Sequence, residues 1–226
     1  KAMQLWDKAI EVVPCFAAAY YNLGRVYYEQ GNTAKAMQLW DKAIELKPDY
    51  AMAYNNLGVA YSDQGNTAKA IQLYEKAIVV DPDFAMAYNN LGRVYYDQGN
   101  YAKAIELHEK AIELDPDYAD AYNNLGNAYN KQGNYIKAIQ WYEKAIEVYP
   151  DYAYAYNNLG LTYKDQGNLT KAMQLWDRAI ELDPDYFEAY YHLGSAYDDQ
   201  GDYAKAIESY EKAIEIDPDY AIDYNN

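Results

Sequence analysis

The chain has 226 residues, with 19 basic side chains against 35 acidic ones and a formal charge of −16. A field of that sign repels nucleic acid and anionic membrane surfaces, which leaves protein or peptide partners of neutral or mixed charge. No apolar run approaches the roughly 18 residues of a membrane span, no signal-peptide pattern is present, and the single Cys15 cannot close an internal disulfide, so the chain reads as cytoplasmic.

In chain order, prolines fall at 14, 48, 82, 116, 150, 184 and 218, one every 34 residues, and the glycines come in pairs seven apart, from Gly24 with Gly31 to Gly194 with Gly201. A fixed period of that length marks a repeat array. Residues 1–16 carry only the second half of a unit (Ala2, Trp6, Ala9, Pro14). Full units follow at 17–50, 51–84, 85–118, 119–152, 153–186 and 187–220, and 221–226 begins another first half. Both ends stop inside a unit, so the chain reads as a piece of a longer array whose apolar edges would associate end to end. The near-identical segments KAMQLWDKAIE (1–11 and 35–45) and KAMQLWDRAIE (171–181) point to recent duplication or deliberate design, and irregularities such as Cys15, Trp141 and Tyr149 favour the former.

The unit 85–118 shows what each repeat is made of. Tyr88, Leu91, Gly92 and Tyr95 recur at i, i+3, i+4 and i+7, and Ala104, Leu107, His108, Ala111 and Ile112 make a second helical stripe. Between them Gly99 can adopt the left-handed conformation that ends a helix, and Pro116 stops the second helix. The spacing predicts an all-α chain of antiparallel helical hairpins.

These residues resemble the tetratricopeptide repeat (TPR) pattern: Tyr88, Leu91-Gly92, Tyr95, Ala104, Ala111 and Pro116 match it, and His108 departs at the second aromatic slot. The resemblance implies a right-handed α-solenoid whose first helices line a concave groove that holds extended peptides. It therefore implies a protein–protein interaction scaffold rather than an enzyme. Two alternatives stand beside it: a substrate-recruiting domain cut from a larger enzyme such as a glycosyltransferase, and a self-assembling repeat scaffold.

Repeat position sorts structural residues from candidate binding residues. Tyrosines at the two first-helix stripe positions, and the aromatics Tyr50, Phe84, Tyr118, Tyr152, Tyr186 and Tyr220 after each Pro-Asp, are read as packing. Lysines at two fixed second-helix positions form a solvated face, with Glu106 and Lys110 spaced for i,i+4 support. Helical spacing leaves the second, fifth, sixth, ninth, twelfth and thirteenth positions to share the candidate binding face.

The sixth position reads Asn22, Asn56, Asn90, Asn124, Asn158, then His192 and Asn226, a ladder of amides. An amide offers an acceptor and two donors, enough to meet both the C=O and N–H of an extended backbone. The fifth position adds Asn55, Asn89, Asn123 and Asn157. Toward the N-terminus the face also carries Tyr21, Arg25, Tyr28, Met52, Met86, Arg93 and Tyr96, and toward the C-terminus Asp120, Lys164, Asp165, Glu188, Asp198 and Asp199. A ligand with an acidic or aromatic portion and a basic portion is expected. The ladder resembles that of the TPR superhelix of O-linked N-acetylglucosamine transferases, where such asparagines hold substrate backbones. The lysine, asparagine and arginine clamp that some family members use for chaperone C-termini is not supplied.

Catalysis finds no motif: no phosphate-binding glycine loop, nucleophile elbow or zinc-ligand spacing occurs. No cofactor or metal is expected. His108 occupies a slot held elsewhere by Tyr74, Tyr142 or Trp176 and is read as packing, and His192 stands in a ladder position. The Asp-Pro-Asp triplets read as turns, and the sequon Asn168-Leu169-Thr170 as chance.

Overall fold

The computed structural model describes residues 2–218, and among them the backbone forms thirteen α-helices and no strand. They are α1 (Ala2–Val12), α2 (Ala17–Glu29), α3 (Thr33–Leu46), α4 (Ala51–Asp63), α5 (Thr67–Val80), α6 (Ala85–Asp97), α7 (Tyr101–Leu114), α8 (Ala119–Lys131), α9 (Tyr135–Val148), α10 (Ala153–Asp165), α11 (Leu169–Leu182), α12 (Phe187–Asp199) and α13 (Tyr203–Ile216). The chain is all-α, and its helices pair as hairpins: α2 with α3, α4 with α5, and so on to α12 with α13. The chain divides into two compact units, Lys1–Pro116 and Asp117–Asn226. Lys1, Tyr220 and the partial first helix read at 221–226, with Tyr224 and Asn226, lie outside the described residues.

The hairpin turn follows from two residues. At the end of α2, Gly31 takes φ 77°, its N–H donates to Tyr28 O at 2.9 Å, and the Asn32 N–H donates to Tyr27 O at 2.8 Å. This is a Schellman closure, and the left-handed residue it needs is glycine in every hairpin turn, with φ from 73° to 80°. Asn32 then caps the next helix, its side chain accepting from the Lys35 N–H at 3.2 Å. Asn66, Asn100, Asn134, Asn168 and Asp202 repeat that cap, so Asn168 of the sequon is engaged in the turn. At the far end of α7, Asp115 is extended at φ −136°, as a residue before proline must be to leave the helix.

Small residues set how closely the helices approach. A Cβ on Gly58 of α4 would lie 2.7 Å from Tyr74 Cε1 of α5, and one on Gly24 of α2 would lie 2.5 Å from Trp40 Nε1 of α3. The aromatic ring thus lies directly on the glycine backbone of its hairpin partner. Its other side meets the next repeat: Trp40 packs with Leu57 and Ala60, Tyr74 with Leu91 and Val94, and Trp176 with Leu193 and Ala196. Trp40 and Trp176 satisfy their indole N–H on the backbone oxygens of Tyr21 and Asn157, at 3.1 and 3.2 Å.

Surface charges pair along the second helices at i,i+3. Lys110 meets Glu113 at 3.0 Å, and Lys103 meets Glu106 at 2.8 Å. The expected Glu106–Lys110 support is replaced because helical side chains lean toward the N-terminus, which brings Glu113 back over Lys110. These exposed pairs each contribute a few tenths of a kcal/mol at most, on the order of 0.3.

The rings differ in how their polar atoms are met. Tyr142 donates its hydroxyl to Asn127 Oδ1 at 2.7 Å, whereas Tyr74 faces Val59 at the corresponding ninth position, and its hydroxyl is buried with no partner. Burial accordingly pushes the Tyr74 phenol well above its usual range. Tyr74→Phe is expected to leave stability unchanged or raise it, because it removes an unsatisfied buried hydroxyl. Tyr142→Phe is expected to cost about 1 kcal/mol by breaking a made bond. Urea denaturation of both variants checks the contrast, and an equal loss in both would refute it.

Candidate peptide-binding face

The ladder asparagines sit one per first helix, each half-buried: Asn22, Asn56 and Asn90 in the first unit, Asn124 and Asn158 in the second. Asn22 donates to the Ala18 carbonyl one turn back at 2.8 Å. Three others donate into the preceding repeat of their own unit. Asn56 Nδ2 reaches the Tyr21 hydroxyl at 3.3 Å, Asn90 Nδ2 reaches Asn55 Oδ1 at 2.9 Å, and Asn158 Nδ2 reaches Asn123 Oδ1 at 3.0 Å. Asn55 and Asn157 also donate to their ladder neighbours Asn56 and Asn158, both at 3.4 Å. A relay therefore links sixth positions to the fifth position of the preceding repeat at Asn56–Tyr21 and Asn90–Asn55 in the first unit and at Asn158–Asn123 in the second.

This corrects one expectation. Asn55, Asn89, Asn123 and Asn157 do not add a second open row of amides, for they are 1%, 4%, 6% and 4% exposed. The fifth position turns toward neighbouring helices, where Asn55 takes the Asn90 bond and Asn89 Oδ1 lies 2.9 Å from His108 Nδ1. A single-helix projection misses that cover. After the relay, Asn56 and Asn158 each keep one amide hydrogen and one oxygen lone pair.

The remaining predicted residues fall in separate places. Arg25 is exposed and pairs with Glu29 at 3.6 Å. Arg93 is exposed on α6, and its charge acts on the Tyr28 and Tyr74 phenols. Tyr28 donates its hydroxyl to the Asp63 carboxylate, and burial, with Asp63 adding to it, raises that phenol to about 12. Tyr96 is half-buried with its ring 5.4 Å from that of Tyr101. Lys164, in the second unit, donates to Ser195 Oγ at 3.3 Å.

The sequence reading passed over a row of tyrosines in the second unit. Tyr149 stacks on Tyr152 with ring centroids 5.8 Å apart, Tyr152 meets Tyr154 at 5.8 Å, and Tyr154 meets Tyr186 at 4.9 Å. The signal was the residue type at the second position, Asp120, Tyr154 and Glu188, set against the aromatics that close each repeat. In the first unit the second position holds Met52 and Met86, both exposed. Among the described residues no group of three or more His, Cys, Asp or Glu could hold a metal ion. No helix among them is long and apolar enough to cross a membrane.

Both histidines are neutral at pH 7, His108 fully buried and His192 half-buried. His108 donates Nδ1–H to Asn89 Oδ1, and burial lowers its pKa to about 3. His192 lies against Trp176 and Tyr191 at 5.4 and 5.6 Å, and burial, with Lys164 second, lowers it to about 4. It stands where a ladder amide would reach Asn157, and Asn157 Oδ1 is buried with no partner.

His192→Asn is expected to raise stability by about 1 kcal/mol through the restored relay bond, read in a denaturant melt. An unchanged or lowered midpoint would refute it. For His108, the unfolded chain binds a proton below about pH 6.5 while the folded chain does not until about pH 3, so stability falls as pH drops through that window. His108→Tyr is expected to lose less stability than the parent between pH 7 and 4, on the order of 2 kcal/mol less. Parallel melting curves of the two proteins would refute this.

The chain matches family descriptions over most of its length: "Tetratricopeptide repeat" at residues 83–151 and 157–221, and "TPR repeat" at 1–31, 24–65 and 60–99. Among solved structures it is similar to MamA, at 32% identity over 73% of this chain and 96% of that one, with a TM-score of 0.60. It is also similar to YrrB, described as a TPR protein with an unusual peptide-binding site, at 27% identity over 81% and 95% with a TM-score of 0.60. PilF of Pseudomonas aeruginosa, at 22% identity, 89% and 92% coverage and a TM-score of 0.77, shares the fold. No match was found among curated proteins.

Proposed function

The chain belongs to the tetratricopeptide repeat family, and we propose that it is a protein-interaction scaffold that binds an extended partner segment along the ladder face of its first helices. The observation that carries this reading is the spare bonding capacity of Asn56 and Asn158. Each has spent one amide hydrogen and one oxygen lone pair on the relay and keeps one donor and one acceptor. A peptide backbone in extended form presents one C=O and one N–H at a time, which that remainder matches whatever the peptide's sequence. The similar protein YrrB is described by its peptide-binding site, which supports the reading. Rigid helices carrying exposed polar groups are also where recognition concentrates.

The test is a peptide-library selection on the parent chain beside a variant with Asn56, Asn90, Asn124 and Asn158 changed to alanine. A second variant, Asn66→Ala with Asn134→Ala, removes two helix caps in the hairpin turns and keeps both the ladder and its relay, so it controls for stability. Peptides are expected to be enriched on the parent and on the cap variant and lost from the ladder variant. Equal enrichment on parent and ladder variant, or none on either, would overturn the proposal.

A further inference from the structure

We propose that the tyrosine row of the second unit, running from Asp120 through Tyr152, Tyr154 and Tyr186 to Glu188, recognises arginine side chains of an extended partner segment. This rests on the peptide-scaffold reading above and names the chemistry of the partner.

The row is continuous. Tyr152 donates its hydroxyl to Asp120, its ring meets Tyr154, and Tyr154 meets Tyr186, beside which the Glu188 carboxylate acts on the phenol. Tyr149 stacks on Tyr152 and widens it. Tyr149 and Tyr154 are each 52% exposed, so two of the rings offer open surface between two carboxylates. Tyr154 and Asn158 lie one turn apart on α10, which places the row next to the ladder.

The chain's own cations show what such rings accept. Lys137 Nζ lies 4.6 Å from the Tyr129 ring centre and Lys205 Nζ 5.1 Å from that of Tyr197. Among the described residues no cation lies over Tyr154, and no salt bridge uses Asp120 or Glu188. Burial holds the Glu188 carboxyl above its usual range, and the carboxylates of Asp217 and Asp183 add to this. A bound cation would relieve that crowding. Guanidinium fits better than ammonium, since its plane stacks on a tyrosine ring while its edge pairs with a carboxylate. The first unit lacks the combination: Met52 and Met86 take the corresponding positions, and its own Lys47 lies 5.0 Å from the Tyr50 ring centre.

The experiment is fluorescence anisotropy on the full chain with a labelled Gly/Ser peptide carrying three arginines, and with the same peptide carrying citrulline instead. The arginine peptide is expected to bind about tenfold tighter than the citrulline one. Tyr154→Ala leaves the net charge at −16 and is expected to weaken it about tenfold. Asp120→Asn with Glu188→Gln is expected to weaken it and flatten its salt dependence. Melting curves should match the parent, because Tyr154 is half exposed and the acid-to-amide changes keep shape. Arginine-peptide affinity unchanged in Tyr154→Ala would overturn the inference, by showing diffuse attraction to the net charge. In the library selection, enriched peptides without arginine would overturn this inference and leave the scaffold reading standing, whereas no enrichment would overturn both.

Discussion

The contact on which the fold of each unit depends is the aromatic ring at the centre of a second helix, as at Trp40, Tyr74 and Trp176, held between a glycine on its hairpin partner and the apolar face of the next first helix. Tyr74 touches Gly58 on one side and packs with Leu91 and Val94 on the other. Helix approach within a hairpin and stacking between hairpins are therefore set by one side chain. A methyl group at Gly58 would need the ring to move, and the ring has no room, since close-packed interiors transmit such a shift to the next repeat. That is why the glycine and the aromatic recur with the period of the proline.

Fixed stacking brings the first helices close enough for side chains to meet across repeats, and the amide relay follows. Asn90 reaches Asn55 and Asn158 reaches Asn123 because the hairpins are held at that spacing. Each of these bonds adds about 1 kcal/mol or less net, so the relay's larger effect is orientation. An amide held by one bond cannot rotate freely, and its remaining donor and acceptor point in a set direction. Order established for packing thus supplies the pre-organisation that binding an extended backbone needs.

Most of the fold was legible because its determinants are local. Gly31 and Asn32 close and reopen helices within a few residues, and Pro116 ends α7 through its neighbour Asp115. The candidate site was less legible because its geometry arises between repeats. Asn55 lies on the outward side of its own helix and is covered only when α6 packs beside α4, so no projection of α4 alone finds it buried. The tyrosine row has the same origin. Tyr152 and Tyr186 were rightly read as packing side chains, yet their contacts with Tyr154 become a surface only when successive repeats are stacked.

The imperfections of the core follow the same logic. Among the described residues three buried polar atoms lack a partner, Tyr74 Oη, His108 Nε2 and Asn157 Oδ1. Two of them sit where one member of a pair, within a hairpin or between repeats, has changed without the other. Tyr74 faces Val59 where Tyr142 has Asn127, and Asn157 faces a His192 position where Asn123 has Asn158. At the third, an imidazole stands in a slot built for a larger ring. Segments such as KAMQLWDKAIE recur as blocks, while the pairs that must match lie in different blocks or different repeats. Copying a block preserves every local signal and can still separate a donor from its acceptor. The scaffold tolerates such losses because each repeat draws its stability from its neighbours, and that tolerance leaves the second, ninth and twelfth positions free to carry different chemistry in each repeat.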